Sequence, residues 1–136
     1  MSGAVIAVRY LLANDAALLA EMPAVRIKAG VLPEGIVLPA IAVEHVSTVE
    51  RMTVSMEFTK VFSVSRVQVT VFARTYSQCK SILDLVRRAL PHTRGTVGGV
   101  ELDSVLPEAT NPDLFDTDSQ IHMQSRDYMV SFAAAT

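Results

Sequence analysis

The chain has no tryptophan and a single cysteine, Cys79. One cysteine excludes an intrachain disulfide framework and any metal site built from several thiolates. Charge of one sign is also missing: 12 Lys and Arg stand against 14 Asp and Glu, for a formal net charge of −2. The basic residues are scattered, and only Arg87 and Arg88 are adjacent. Nucleic-acid binding relies on clustered cations that release counterions, so reading of DNA or RNA is not expected. Glycine and proline number six each, and neither occurs between Ile41 and Arg74. A stretch that long without a breaker points to long strands. A membrane span is lacking too. The apolar N-terminus, MSGAVIAVRYLLANDAALLAEM, has no basic leader and is interrupted at Asn14-Asp15. It reads as an amphipathic packing helix and not as a signal or anchor, which places the chain in the cytoplasm of the cell that makes it.

What remains is apolar. Half of the 136 residues are hydrophobic and 19% are charged. That length fits one domain, residues 1–136. Such a composition implies a very complete core, or apolar surface covered by further copies of the chain.

Residues 4–12 read as a helix with Arg9 as its one charge. Asn14 or Asp15 caps a second short helix that presents Leu18, Leu19 and Met22 on one face and stops at Pro23. Val25 to Lys28 is β-like, and Gly30, Pro33, Gly35 and Pro39 mark a loop. Ile41 to Val49 reads as a strand. Val54, Met56 and Phe58 alternate with polar neighbours, as do Val67, Val69, Val71 and Ala73 opposite Arg66, Gln68, Thr70 and Arg74. The parity changes between Phe62 and Val67, which predicts a bulge, a turn or a change of environment there. A polar hairpin tip is expected near Thr48 to Thr53.

The helix from Tyr76 to Leu90 is the clearest element. Thr75 and Gln78 have capping-box spacing. Cys79, Ile82, Leu83, Val86 and Leu90 make its apolar stripe. Lys80 and Asp84 are spaced for an i,i+4 ion pair, and Arg87 and Arg88 suit the helix C-terminus. Gly95, Gly98 and Gly99 mark a tight connection into a strand from Val100 to Leu106. Residues 107–119 read as an exposed acidic loop. A last strand runs from Gln120 to Phe132, with Tyr128, Val130 and Phe132 on one face and a frayed tail from Ala133. The expected class is α+β: a largely antiparallel twisted sheet packed with an N-terminal and a central helix.

No constellation in the chain supports catalysis. Cys79 sits on the apolar stripe and reads as a core residue. His45, His92 and His122 lack metal-ligand spacing. Asp113, Asp116 and Asp118 lack the Gly and terminal Glu of a calcium loop. The glycines of R-G-T-V-G-G-V lack the Lys-Ser/Thr of a phosphate loop. The chain is therefore not expected to be an enzyme or to carry a cofactor or metal.

Several short motifs occur in a telling order. They are Asn14-Asp15-Ala16-Ala17-Leu18; Arg26-Ile27 and Gly30-Val31 leading to Pro33 and Gly35; and Leu38-Pro39 before Ile41 and Val43. Then come R-V-Q-V-T-V-F-A-R-T-Y (Arg66 to Tyr76), V-R-R-A-L ending at Leu90, and R-G-T-V-G-G-V (Arg94 to Val100). An acidic loop and a strand with Tyr128 and Phe132 close the series. This pattern resembles the tail completion and tail terminator proteins of long-tailed bacteriophages over nearly the whole chain. It departs from them in Thr48 to Val64, where relatives often carry a glycine turn.

The resemblance implies a ring, usually of six copies, that caps the tail tube, ends polymerisation and meets the head connector or neck protein. DNA would pass through its lumen, and the protein would reside in the virion after assembly in the host cytoplasm. It carries over no catalytic residue. Glu50, Arg51, Asp113, Asp116 and Asp118, in the two most polar connections, are the expected assembly contacts or lumen-facing positions. The competing expectation is a small α+β ligand-binding or regulatory domain with a pocket between sheet and helix.

Overall fold

The computed structural model describes residues 3–51 and 60–135. Its α+β chain runs α1 (Gly3–Ala13), α2 (Ala16–Glu21), a 3₁₀ turn (Ala24–Arg26), β1 (Ile27–Ala29), β2 (Ala40–Arg51) and β3 (Lys60–Ala73). It continues with α3 (Tyr76–Ala89), β4 (Gly95–Val97), β5 (Val100–Thr110), β6 (Leu114–Asp116) and β7 (Ile121–Ala135). One seven-stranded sheet has the order β1-β2-β3-β7-β5-β4, with β6 pairing to the start of β7. Among the described residues, only the short β1–β2 pairing is parallel.

The helices cover one face of this sheet. Val67, Val69, Val71 and Ala73 of β3 point to that side and are fully buried. Their neighbours in the core are Ala4, Val8 and Leu12 of α1, Ile82 and Val86 of α3, and Ile41 and Val43 of β2. Spacing of i, i+4 and i+8 puts the α1 residues on one stripe, while Ile6 and Tyr10 face outward. Two glycines allow close packing of this layer. A Cβ on Gly3 would lie 3.0 Å from the Phe132 ring. Gly98 has φ +57° in the β4–β5 turn, and a Cβ there would lie 3.1 Å from Tyr10 Cβ.

Caps form where the sequence places them. The Asp15 carboxylate accepts from Leu18 N–H at 3.1 Å, and Thr75 Oγ1 accepts from Gln78 N–H at 3.1 Å. Asn14 turns back to donate to the Tyr10 carbonyl, so Asp15 is the cap of α2.

Several expectations are corrected. Leu19 faces outward, because it stands about 100° around α2 from Leu18, while Leu18 and Met22, four residues apart, are both buried. Val25 lies in the 3₁₀ turn, with Arg26 N–H donating to the Pro23 carbonyl, and the strand starts only at Ile27. Thr48 to Arg51 are not a hairpin tip. They continue β2, paired with Phe62 to Ser65 of β3. The expected alternation of Val54, Met56 and Phe58, and the rest of the expected tip, lie outside the described residues. Pro107 to Thr110 belong to β5, which absorbs the proline at an open edge through a register shift between Pro107 and Ala109. The remainder of the acidic segment contains β6 and a turn. Ala133 to Ala135 are not frayed but pair with Lys60 to Phe62.

The parity change near Phe62 puts no bulge into β3 against β7, since that pairing is unbroken from Lys60 to Ala73. The register shift lies across from it in β2, between His45 and Ser47, where Val46 is exposed.

Candidate assembly surfaces

The sheet face away from the helices alternates with the core face, so its residues follow from the register. Gln68 stands beside Asp127, and Thr70 beside Ser125. Asp127 is only 6% exposed. Arg66 donates to its Oδ2 from Nε at 3.0 Å and from a terminal nitrogen at 2.9 Å. Gln68 and Asn111 donate to Oδ1 at 3.2 and 3.0 Å. Each carboxylate oxygen thus accepts two hydrogen bonds, which offsets the cost of taking the charge out of water. Asn111 also donates to Ser125 Oγ at 2.8 Å, tying the end of β5 to β7.

Towards Lys60 the same bare face turns apolar. Val49, Phe62 and Leu106 are 61%, 42% and 49% exposed. Phe62, Val64, Leu106 and Met129 line a hollow of about 410 Å³ with Ser131 and Asp103 at its border. Apolar side chains gathered on an uncovered sheet face are a feature of surfaces that meet other proteins.

The five expected contact residues fall in two places. Glu50 is exposed opposite Ser63, and Arg51 pairs with Phe62, its side chain lying outside the described residues. The acidic hairpin lies at the other end of β7. Asp116 pairs with Ile121, while Phe62 pairs with Ala133. That separation is about 40 Å at the usual strand rise, so the structure does not bring the two groups together.

Within the hairpin the acids differ. Asp113 accepts from Lys80 Nζ and from the Tyr76 hydroxyl at 3.0 Å. The Lys80 hydrogen bond, then that of Tyr76, holds its carboxyl below the usual carboxylate range. Asp116 is also lowered, by the Ser119 side chain first and then the Asp118 backbone N–H. Asp118 is exposed. Lys80 reaches Gln124 as well, so the expected Lys80–Asp84 pair does not form; Asp84 instead holds Arg87 and Arg88 at 2.9 and 3.1 Å. The hairpin supplies Lys80 with two acceptors that the helix alone lacks.

Cys79 is buried, with Sγ donating to the Val71 carbonyl at 3.7 Å, and burial pushes its thiol pKa up. His45 bonds Thr48 at 2.6 Å, while His122 meets the rings of Tyr76 and Phe115. Among the described residues, no group of His, Cys, Asp and Glu is arranged to hold a metal, and no helix is long and apolar enough to cross a membrane. Hollows of about 250 to 430 Å³ open at the periphery of the described residues. The layer between sheet and α3 is packed with Val69, Val71, Ile82 and Val86.

Sequence reasoning missed two features. Asp127 gives no signal beyond its alternation with Tyr128. The bare apolar end did leave one: Phe62 and Val64 are out of phase with Val67, and that parity change marks the patch.

The chain matches the family described as "Tail completion protein gp17" over residues 6–132. No curated protein matches it. Among solved structures it is similar to a chain from the "Virion of native gene transfer agent (GTA) particle", with a TM-score of 0.69. That likeness covers 96% of this chain and 94% of the other at 14% identity, so it establishes a shared fold. The family match spans most of the sheet, α2, α3 and all but the first turn of α1, and the chain belongs to the tail completion protein gp17 family.

Proposed function

We propose that this tail and virion assembly protein acts as a closed ring, of six copies, that caps the tail tube. In this role it ends tube polymerisation and offers its opposite surface to the head connector or neck protein. DNA passes through the lumen without sequence-specific contact. The protein is made in the host cytoplasm and ends in the virion at the tail end.

The observation that carries this reading is the bare sheet face of a tail completion family member. Among the described residues, helices cover one side only, and Val49, Phe62 and Leu106 remain exposed on the other. Head-to-tail contact between different flanks of one chain closes into a ring when the rotation is right. A formal net charge of −2, with basic residues scattered along the sequence, suits a conduit that must not grip DNA. Glu50 and Arg51 border the apolar end, and Asp113, Asp116 and Asp118 border the opposite end. They serve as contacts to the neighbouring copy, the tube or the connector.

Purified protein is mixed with tail tubes, and the products are sized by light scattering and imaged by negative stain. Rings at tube ends are expected. Phe62→Asp and Leu106→Asp, both on exposed positions, leave the fold intact and abolish ring formation. Wild-type protein that stays monomeric with tubes present would sink the proposal.

A further inference from the structure

Two polar atoms in the helix-covered layer have no hydrogen-bond partner: Nε of Arg126 and the hydroxyl of Tyr128. They belong together. The Arg126 guanidinium lies 5.6 Å from the centre of the Tyr128 ring, and the charges of Arg126 and Arg87 both act on the phenol. Leaving a buried donor unpaired costs a folded protein the full desolvation of that group, so such atoms call for an explanation.

A hollow of about 250 Å³ opens beside them, between α3 and the ends of β5 and β7. Lys80, Asp84, Arg87, Thr110 and Arg126 line it. Three cations therefore line it beside one carboxylate, Asp84, which holds both Arg87 and Arg88 and also feels the charge of Arg126 without a hydrogen bond to it. Lys80 is engaged by Asp113 and Gln124. Arg126 differs: among the described residues its guanidinium has no hydrogen-bonded acceptor, and it sits where positive charge is in excess. A single ordered water would satisfy Nε but would leave that excess unbalanced. A planar guanidinium held against an aromatic ring presents its fork in a fixed direction, which suits a two-oxygen acceptor.

We propose that this hollow is an oxyanion-binding site, of carboxylate or phosphate chemistry, with Arg126 as its principal contact and Arg87, Lys80 and the Thr110 hydroxyl around it. The oxyanion comes from inorganic phosphate in solution or from an acidic side chain of another virion protein. The site is independent of ring closure and can be tested on the free protein.

Side-chain N–H NMR and thermal unfolding are followed during titration with inorganic phosphate and, separately, with an oligoglutamate peptide, at ionic strength matched with chloride. At least one probe is expected to shift the Arg126 Nε–H resonance and raise Tm saturably. Response to phosphate alone assigns a free anion; response to the peptide assigns a protein carboxylate. Arg126→Gln is expected to weaken binding by about tenfold to a hundredfold, the usual effect of losing a charge-assisted hydrogen bond. Arg126→Lys, which keeps the charge and loses the fork, is expected to weaken it severalfold and guards against a folding defect in the Gln variant. Neither probe exceeding chloride would overturn the site and leave a bound water as the partner. Equal binding by wild type and both variants would also overturn it, as adventitious surface association.

Discussion

The two halves of β3 share one geometry and have opposite chemistry. From Val67 to Ala73 the helix-side positions are Val, Val, Val and Ala, and all are fully buried. From Ser63 to Ser65 the same side is still buried but carries serines, while Phe62 and Val64 sit on the bare face. Ser65 hydrogen-bonds Thr48 at 2.7 Å, and Thr48 bonds His45, so at least this serine finds a local partner. Burial parity therefore runs straight through the strand while hydropathy parity inverts. The difference teaches that one half of the strand is written for the molecule's own core and the other for something outside it.

The comparison is tested most directly by truncating one apolar residue in each half. Val69→Ala removes two methyl groups from a fully buried position beneath the helices. It is expected to cost about 2–3 kcal/mol in urea unfolding, as transfer and cavity terms combine. Phe62→Ala, at a 42% exposed position, is expected to stay within about 1 kcal/mol of wild type, although it removes far more apolar volume. Equal losses at both sites would break the distinction and make the far half ordinary core.

A second comparison sets the two faces of the sheet against each other. Asp127→Ala removes the acceptor of Arg66, Gln68 and Asn111 on the bare face. Losing one partner of a buried pair commonly costs about 3–5 kcal/mol. The Arg66 side chain is 35% exposed and can be rehydrated, so a loss of roughly 2 kcal/mol is expected. Chemical denaturation of Asp127→Ala, Arg66→Ala and the double variant measures the coupling. Additive losses would mean that the pair is incidental.

These cases show which parts were legible in the sequence. Local signals were reliable: the Thr75 cap, the Cys79 to Val86 stripe and the glycine turn before Val100 all stand where spacing put them. Family resemblance was legible from motif order, and the family match bears it out. Non-local facts were not. Polar composition makes residues 107–119 look like loop, but β7 is long enough to pair the end of β5 and β6 along one side. Lys80 looked tied to Asp84, yet it is captured by Asp113, 33 residues away. The parity change at Phe62 stands in the pattern, but pattern alone cannot separate a bulged strand from an unbroken one with inverted chemistry. Of the five expected contact residues, sequence gave no means to see that they lie at opposite ends of the sheet.

A smaller effect is expected in the helix-covered half at Cys79. Cys79→Ala deletes one buried sulfur and its weak bond to the Val71 carbonyl. A loss of about 1 kcal/mol is expected, with ring assembly retained. The raised thiol pKa follows from burial, so native labelling by a thiol reagent should be slow at neutral pH and should accelerate on unfolding. Rapid native labelling would show that the near half is more open than its packing implies.

The smallest effect concerns the acidic hairpin, where the near half meets solvent. Asp113 and Asp116 have pKa values lowered from the ordinary 3.8 by their hydrogen-bond donors. Their contribution is therefore fully present above pH 3.8 and is lost as pH falls through their folded values, which lie lower. The Lys80 pKa is raised from the ordinary 10.5, chiefly by its hydrogen bond to Asp113. Its contribution is fully present below pH 10.5 and is lost as pH rises through the higher folded value. Between those limits the Lys80–Asp113 pair keeps its charges, so its contribution to the local stability of residues 111–120 should be flat from about pH 5 to 9, with the effect of the His122 charge on Asp113 added to it. Solvent screens these exposed groups, and global stability should hardly register them. Amide hydrogen exchange, corrected for intrinsic rates, separates the local effect from the global one. Lys80→Met should raise exchange in residues 111–120 across that plateau while leaving Val67 to Ala73 protected as before. If exchange in both segments rises together, the hairpin is a structural part of the near half and not a separately tethered surface.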